Sequence, residues 1–434
     1  MIGRDAFARI RAVRDGNPIT ADRGNAPPGT AAGRQRSASA RGITDRVGVL
    51  WHRLAGGEPR SLLAVLLLVV IWVVSEFLKA NFLSPRNLSI LSLDIVGTGM
   101  LAVGLVFVLL LGQIDLSLGA VSGLAAALFA VLSVYEGVPE PVAVIIALLC
   151  GAAVGSLHGF FIAKVGAPSF AITLAGFLAW SGLALVVLGP NGTVNLDDQG
   201  LVASLTSTYF SNVAAAYGLA VLSTALFLFA SCHDRRRRRA AGVPFRSLSE
   251  IAWRAGALAA AAFAAAWVLN QFQGLPLALL IFLVIVAGLD RVLRRTSYGR
   301  TVRALGSNAE AARRAGVNVT RTRISVFAIS GTMAALGGLF LASRITSVSQ
   351  TSGSSVLLIN AIAAAVIGGT SLFGGRGRPW SAFLGVLVIQ SIASSMVLVG
   401  IPTAVQFLVT GVVLLVVLVV DTLSRHSQKE HGRA

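Results

Sequence analysis

Cysteine, lysine and charge of either sign are scarce in this chain of 434 residues, of which only 12% are charged. Cys150 sits inside an apolar run and Cys232 beside a basic stretch, which excludes a disulfide framework or a thiolate metal site; both read as packing residues. Lysine is confined to Lys79, Lys164 and Lys429, and none stands in a GxxxxGK[ST] loop, so the chain has no phosphate-cradling motif of its own. The five histidines form no HExxH, there is no GxSxG, and no carboxylate pair has a spacing suited to shared acid and base work. No enzyme is visible.

What the chain has in abundance is apolar residues: 55% of the sequence is hydrophobic and mean hydropathy is +0.79. The expected fold class is all-α, a polytopic transmembrane bundle of about 10–12 spans, because a helix crossing a bilayer needs about 20 apolar residues. Runs of that kind fall at 62–80, 93–112, 117–135, 141–163, 169–189, 213–231, 251–270, 275–292, 324–343, 356–373, 381–399 and 403–421. Residues 1–60, rich in Arg, Gly, Ala, Pro and Ser, read as a disordered basic tail. A transmembrane domain over 61–424 follows, interrupted by a basic loop at 232–250 and a longer loop at 293–323, with a C-terminal tail at 425–434.

The net charge of +18 does not point to nucleic acid, since the arginines flank apolar spans instead of forming a reading surface. With both termini in the cytoplasm of a bacterial inner-membrane protein, Lys164, the run Arg235–Arg239 and the Arg291–Arg323 loop all fall inside, as cytoplasmic loops require. Lys79, Arg86 and Arg344 fall outside. The five-arginine run reads either as an anchor touching anionic headgroups or as a partner-binding patch.

Polar groups within spans are costly and mark protein-facing or water-facing positions. Glu76, Asp94, Gln113, Asp115 and Asn360 are of this kind. In "GQIDLSLGA" the polar residues Gln113, Asp115 and Ser117 fall at a break between two apolar helices, where Asp115 is either a cap for the next helix or part of a pathway lining, together with Thr173 and Asn360. His158 reads as a packing or capping residue. Gly151, Gly155 and Gly159, and Gly119 with Gly123, form small-residue ridges for close helix approach. The cluster "GGTSLFGGRG" at 368–377 reads as a tight helix exit.

One hydrophilic stretch stands out, "GSNAEAARRAGVNV" at 306–319. Ser307 and Glu310 have capping-box spacing, Asn308 to Ala315 have helical composition, and Gly316 offers a left-handed stop. A helix of about 12 Å spans nothing. Its alternatives are a linker resting on headgroups and an element docked in a groove of another protein.

The segment "EAARRAG" resembles the EAA loop of bacterial ABC importer permeases. Together with "NAIAAAVIGGTSLFGGRG", "GQIDLSLGAVSG" and "APSFAITLAGF", in that family's order over residues 62–421, the chain resembles the permeases of the ribose, xylose and branched-chain amino acid importers, most of all the xylose type of monosaccharide permease. The resemblance implies two permease copies around one pathway, separate ATPase subunits that carry ATP and magnesium while this chain binds no cofactor, and an extracytoplasmic sugar-binding protein. It also implies an ATPase-coupling role for Gly306, Asn308, Glu310, Ala311, Ala312, Arg313 and Gly316. The residues after Gly316 depart from the EAA pattern of other importer classes, and Asn360 stands where many relatives carry a carboxylate. An ion-coupled secondary sugar transporter is the main alternative and a membrane scaffold a lesser one.

Overall fold

The computed structural model describes residues 59–430, so the predicted N-terminal tail, but for its last two residues, and the last four residues of the chain lie outside the described residues. The architecture is an all-α bundle. Helix α1 covers Pro59–Leu78, α2 Pro85–Leu110, α3 Leu118–Ala130 and α4 Glu140–Phe160. The last two run on into single π turns, Val131–Tyr135 and Phe161–Val165. Next come α5 (Ser169–Leu188), the short α6 (Leu201–Ser207), α7 (Val213–Ala240), α8 (Leu248–Asn270) and α9 (Leu277–Arg295). Two small helices, α10 (Ser297–Ser307) and α11 (Ala309–Arg314), precede α12 (Val319–Ile345), α13 (Ser355–Ile367), α14 (Pro379–Val399) and α15 (Thr403–Glu430). Each of the twelve apolar runs falls on one of these helices. Among the described residues, eight helices are long and apolar enough to cross a membrane.

Two short antiparallel ribbons stitch the face opposite α11. β1 (Thr193–Asn195) pairs with β4 (Ser347–Ser349), Val194 facing Val348. β2 (Tyr209–Phe210) pairs with β3 (Leu275–Pro276).

Local chemistry moves several boundaries from the hydropathy expectation. α2 begins at Pro85 instead of 93, because Ser84 caps the Asn87 amide and proline needs no donor at the first helical turn. The expected span 356–373 is a 13-residue helix ending at Ile367, where Gly368 and Gly369 (φ +105°) turn the chain out. The stretch 232–250 is not a loop throughout: α7 continues through Arg235–Arg239 to Ala240, so the basic run is helical, and Arg238 pairs with Asp234 one turn back. The loop at 293–323 is itself mostly α10 and α11.

α2 is the hub of the packing, buried from Leu93 to Leu110 save Asp94. α12 lies antiparallel against it and reaches it through small residues: a Cβ on Gly97 would overlap Leu341, and one on Gly104 would press on Ser330 and Met333. The predicted ridge of α4 seats on the other side of α12, where Cβ atoms on Gly151, Gly155 and Gly159 would run into Gly331, Phe327 and Ile324. Helices that approach to backbone contact gain dispersion where no water-driven force exists within a bilayer. The second ridge receives something different. Gly119 and Gly123 take the turn at Gly353 against the α3 backbone, so a non-helical segment penetrates between helices there. α5, α7 and α8 are only sparsely covered within this chain, leaving apolar surface for lipid or a second copy.

Candidate coupling and pathway site

Between α2 and α3 the backbone is non-helical over residues 113–116. Its depth follows from its contacts. Asp115 Oδ2 accepts from Ser330 Oγ at 3.4 Å, and Ser330 lies about 16 Å from Val319 and about 22 Å from Ile345 along α12 at roughly 1.5 Å per residue. Non-helical backbone at that depth needs substitute hydrogen-bond partners, and it is tolerated only inside protein or along a water-filled path. α5 supplies them from one face: Ser169 Oγ accepts from the Ile114 amide (3.3 Å) and Thr173 Oγ1, one turn on, from the Leu116 amide (3.0 Å). Thr173 is wholly buried.

Asp115 is buried just before the start of α3. The position before α3 belongs to Ser117, which makes no side-chain cap bond. Instead Asp115 Oδ1 accepts both the Ser117 amide (3.0 Å) and the Ser117 hydroxyl (2.6 Å). Ser117 Oγ stands 3.3 Å from His158 Nδ1 on α4, and the Trp180 indole on α5 donates to His158 Nε2 at 2.9 Å. An indole N–H only donates, so Nε2 is the acceptor and the imidazole proton is on Nδ1. The bonds therefore run one way, from Trp180 through His158 and Ser117 to Asp115, joining α3, α4, α5 and, through Ser330, α12. Gln113 lies at the start of this segment with its Oε1 buried and without a hydrogen bond. Asn360 stands apart, half-buried on α13.

His158 was read from the sequence as a packing or capping residue, yet it is the centre of this network. It lies three residues after Gly155 and one before Gly159, beside a glycine ridge that explains this helix without it. Trp180 and Ser330 carried no sequence signal at all.

α11 is shorter than expected. It holds six residues, Asn308 caps it by accepting the Ala311 amide at 2.9 Å, and Ser307 is the last residue of α10, its hydroxyl turned back to the Arg303 carbonyl. The capping box is therefore absent. Glu310 pairs with Arg314 at 3.2 Å in place of reaching back. Gly316 is left-handed (φ +82°), and the Val317 amide bonds the Ala312 carbonyl, the closing bond of a glycine-terminated helix. Ala312 faces the body of the protein, while Asn308, Glu310, Ala311, Arg313 and Gly316 are exposed.

Gly306 joins this element to the broken segment. A Cβ there would overlap the Leu110 carbonyl oxygen at the end of α2, and the Gly375 amide bonds that same oxygen at 2.9 Å. Gly374 (φ +89°) packs on Gly306 and on Gly112 (φ +70°), the residue that starts the non-helical run. Three chain segments thus meet backbone to backbone at the end of the central helix. A displacement of α10 and α11 has no soft side chain there to absorb it.

The branched-chain amino acid transport system permease component family matches residues 87–418. The xylose transport system permease protein of Escherichia coli is 35% identical over 74% of this chain and 81% of its own length. The ribose import permease of Bacillus subtilis is 30% identical, covering 73% and 79%, and the fructose import permease of Rhizobium meliloti is 29% identical, covering 72% and 71%. No solved structure matches.

Proposed function

Because the chain belongs to the permease-component family of branched-chain amino acid transport systems, we propose that it is the membrane-embedded permease of an ATP-driven monosaccharide importer. Its sugar relatives support that substrate class. In this reading ATP and magnesium reside on separate ATPase subunits, a sugar-binding protein delivers substrate at the face of the β1–β4 ribbon, and a second copy of this chain completes the pathway. Both termini and α11 then lie in the cytoplasm, where the arginines of α7, α10 and α11 satisfy the inward charge bias.

The observation that carries the reading is the backbone junction at Gly306. ATPase closure moves α11, α11 moves α10, and α10 bears on the one point where the central helix gives way to the non-helical segment. That segment ends in Asp115 and Ser117, polar groups at membrane depth of the kind that line transporter pathways at interrupted helices. Gln113 and Thr173 belong to the same polar segment, and Asn360 on α13 stands apart from it. ATP drives transport because its partner subunit binds it differently in the two states, which shifts the bundle between them.

Reconstitution of the permease with its ATPase and binding protein in proteoliposomes tests this. Xylose uptake that requires ATP on the ATPase side supports it. Uptake driven by a proton or sodium gradient without ATP would instead make Asp115 part of an ion relay and replace this reading by ion-coupled transport.

A further inference from the structure

At the mouth opposite α11, polar side chains from three helices converge. Asp94 on α2 takes Arg344 Nε from α12 at 2.9 Å. Gln390 on α14 donates its amide to the Asp94 main-chain oxygen (3.0 Å) and to Thr98 Oγ1 (3.3 Å). Tyr209, half-buried in β2, stands beside the buried Ser89 and close to both members of the ion pair. Burial pushes the Tyr209 phenol up, so it keeps its proton and serves as both donor and acceptor.

The pair is not sealed in. The Arg344 side chain is 40% exposed and that of Asp94 35%. Charged groups at this level do not face hydrocarbon, so the exposed portions face water or a protein-lined opening. The contact joins Arg344 Nε to Asp94 Oδ1, and the exposed parts of both side chains can meet a further partner. Adjacent hydroxyls of one molecule can donate to the carboxylate and accept from the guanidinium together. Their charges cancel, so the cluster rewards a neutral ligand over an anion or a cation. Gln390 holds the Asp94 backbone and Thr98 in place before any ligand arrives.

We propose that Asp94, Arg344, Gln390 and Tyr209 form a mouth subsite for a neutral polyhydroxylated sugar, occupied on release from the binding protein and before the sugar descends to the Ser117 wall. This rests on the sugar-permease reading and adds the residues that meet the substrate first.

The test uses the complete complex in proteoliposomes, with xylose, ribose and fructose as probes, and reads sugar imported per ATP hydrolysed. Asp94→Asn, Arg344→Gln and Tyr209→Phe are expected to lower that ratio, by about tenfold for the two charged positions as the loss of a charge-assisted hydrogen bond implies. Tyr209→Phe removes one hydroxyl and leaves the ion pair in place, which separates a ligand contact from a folding defect. In the charge-exchanged double variant Asp94→Arg/Arg344→Asp, the pair survives but the hydrogen-bonding pattern is reversed, so uptake stays low. Full uptake in that double variant shows a structural strut only and overturns the subsite, as does an unchanged ratio in all three single variants. Failure of the wild type to import any of the three sugars overturns the sugar reading, and the subsite with it.

Discussion

Glycine does work at Gly306 that no other residue can do. A methyl group there meets a carbonyl oxygen that already accepts a hydrogen bond from Gly375, so neither partner can withdraw. Gly306→Ala is therefore expected to cost about 1–3 kcal/mol, the range for overpacking a closed contact, and to leave ATP hydrolysis running with sugar uptake lost. Gly288→Ala, in open space on α9, serves as the control and leaves melting temperature and uptake unchanged. Equal behaviour of the two variants would remove the junction from the mechanism. A second residue-scale contrast concerns serine. Ser117→Ala strips the buried Asp115 of a 2.6 Å bond and is expected to lower stability by about 1–3 kcal/mol, seen in thermal melting of the purified complex. Ser156→Ala, whose hydroxyl bonds only the Ala152 carbonyl of its own helix, is expected to be near neutral. Little of this was legible in the sequence. Asp115 and Ser117 stood out as polar groups in oil, but Ser330, His158 and Trp180 acquire their roles from helix juxtaposition, which no local pattern encodes.

At the scale of elements, the apolar runs placed twelve helices because length and hydropathy follow directly from bilayer thickness. Ends were harder. The start of α2 depends on a Ser-Pro cap in polar sequence, and α7 continues into charged residues because a helix leaving the membrane needs no apolar face. α13 stops early because the glycines at 368 and 369 outweigh the hydropathy that continues beyond them. α11 is the element whose function depends most on its ends, since six residues are too few to hold a helix without caps. Asn308→Ala removes the single side-chain cap, at about 1 kcal/mol. Gly316→Ala forces a Cβ into a left-handed conformation, at about 1 kcal/mol. Both variants are expected to insert normally and to keep the basal ATPase rate of the complex, while uptake per ATP falls. Wild-type uptake in the Asn308→Ala/Gly316→Ala double variant would show that the order of α11 is irrelevant to coupling.

At the scale of the molecule, one helix, α2, is buried along most of its length, and it carries the polar mouth cluster toward one end and the glycine junction at the other. A rigid α2 can tie events at the two faces because its middle is packed through small residues on α12, with little room for independent motion. The non-helical segment 113–116 is the compliant part, held by replaceable side-chain bonds from Ser169 and Thr173 in place of a helical ladder. On the proposed mechanism, rocking of the bundle changes access at the Asp115–Ser117 segment without unravelling the core.

The most direct measurement of this account places a photoreactive side chain at Ala311, which faces away from the body of the protein, in the assembled and transporting complex. Illumination is expected to give a covalent adduct with the ATPase subunit, and none from the same probe at Gly400 on the opposite face. A complex that imports sugar at full rate while the probe at Ala311 captures no ATPase would contradict it.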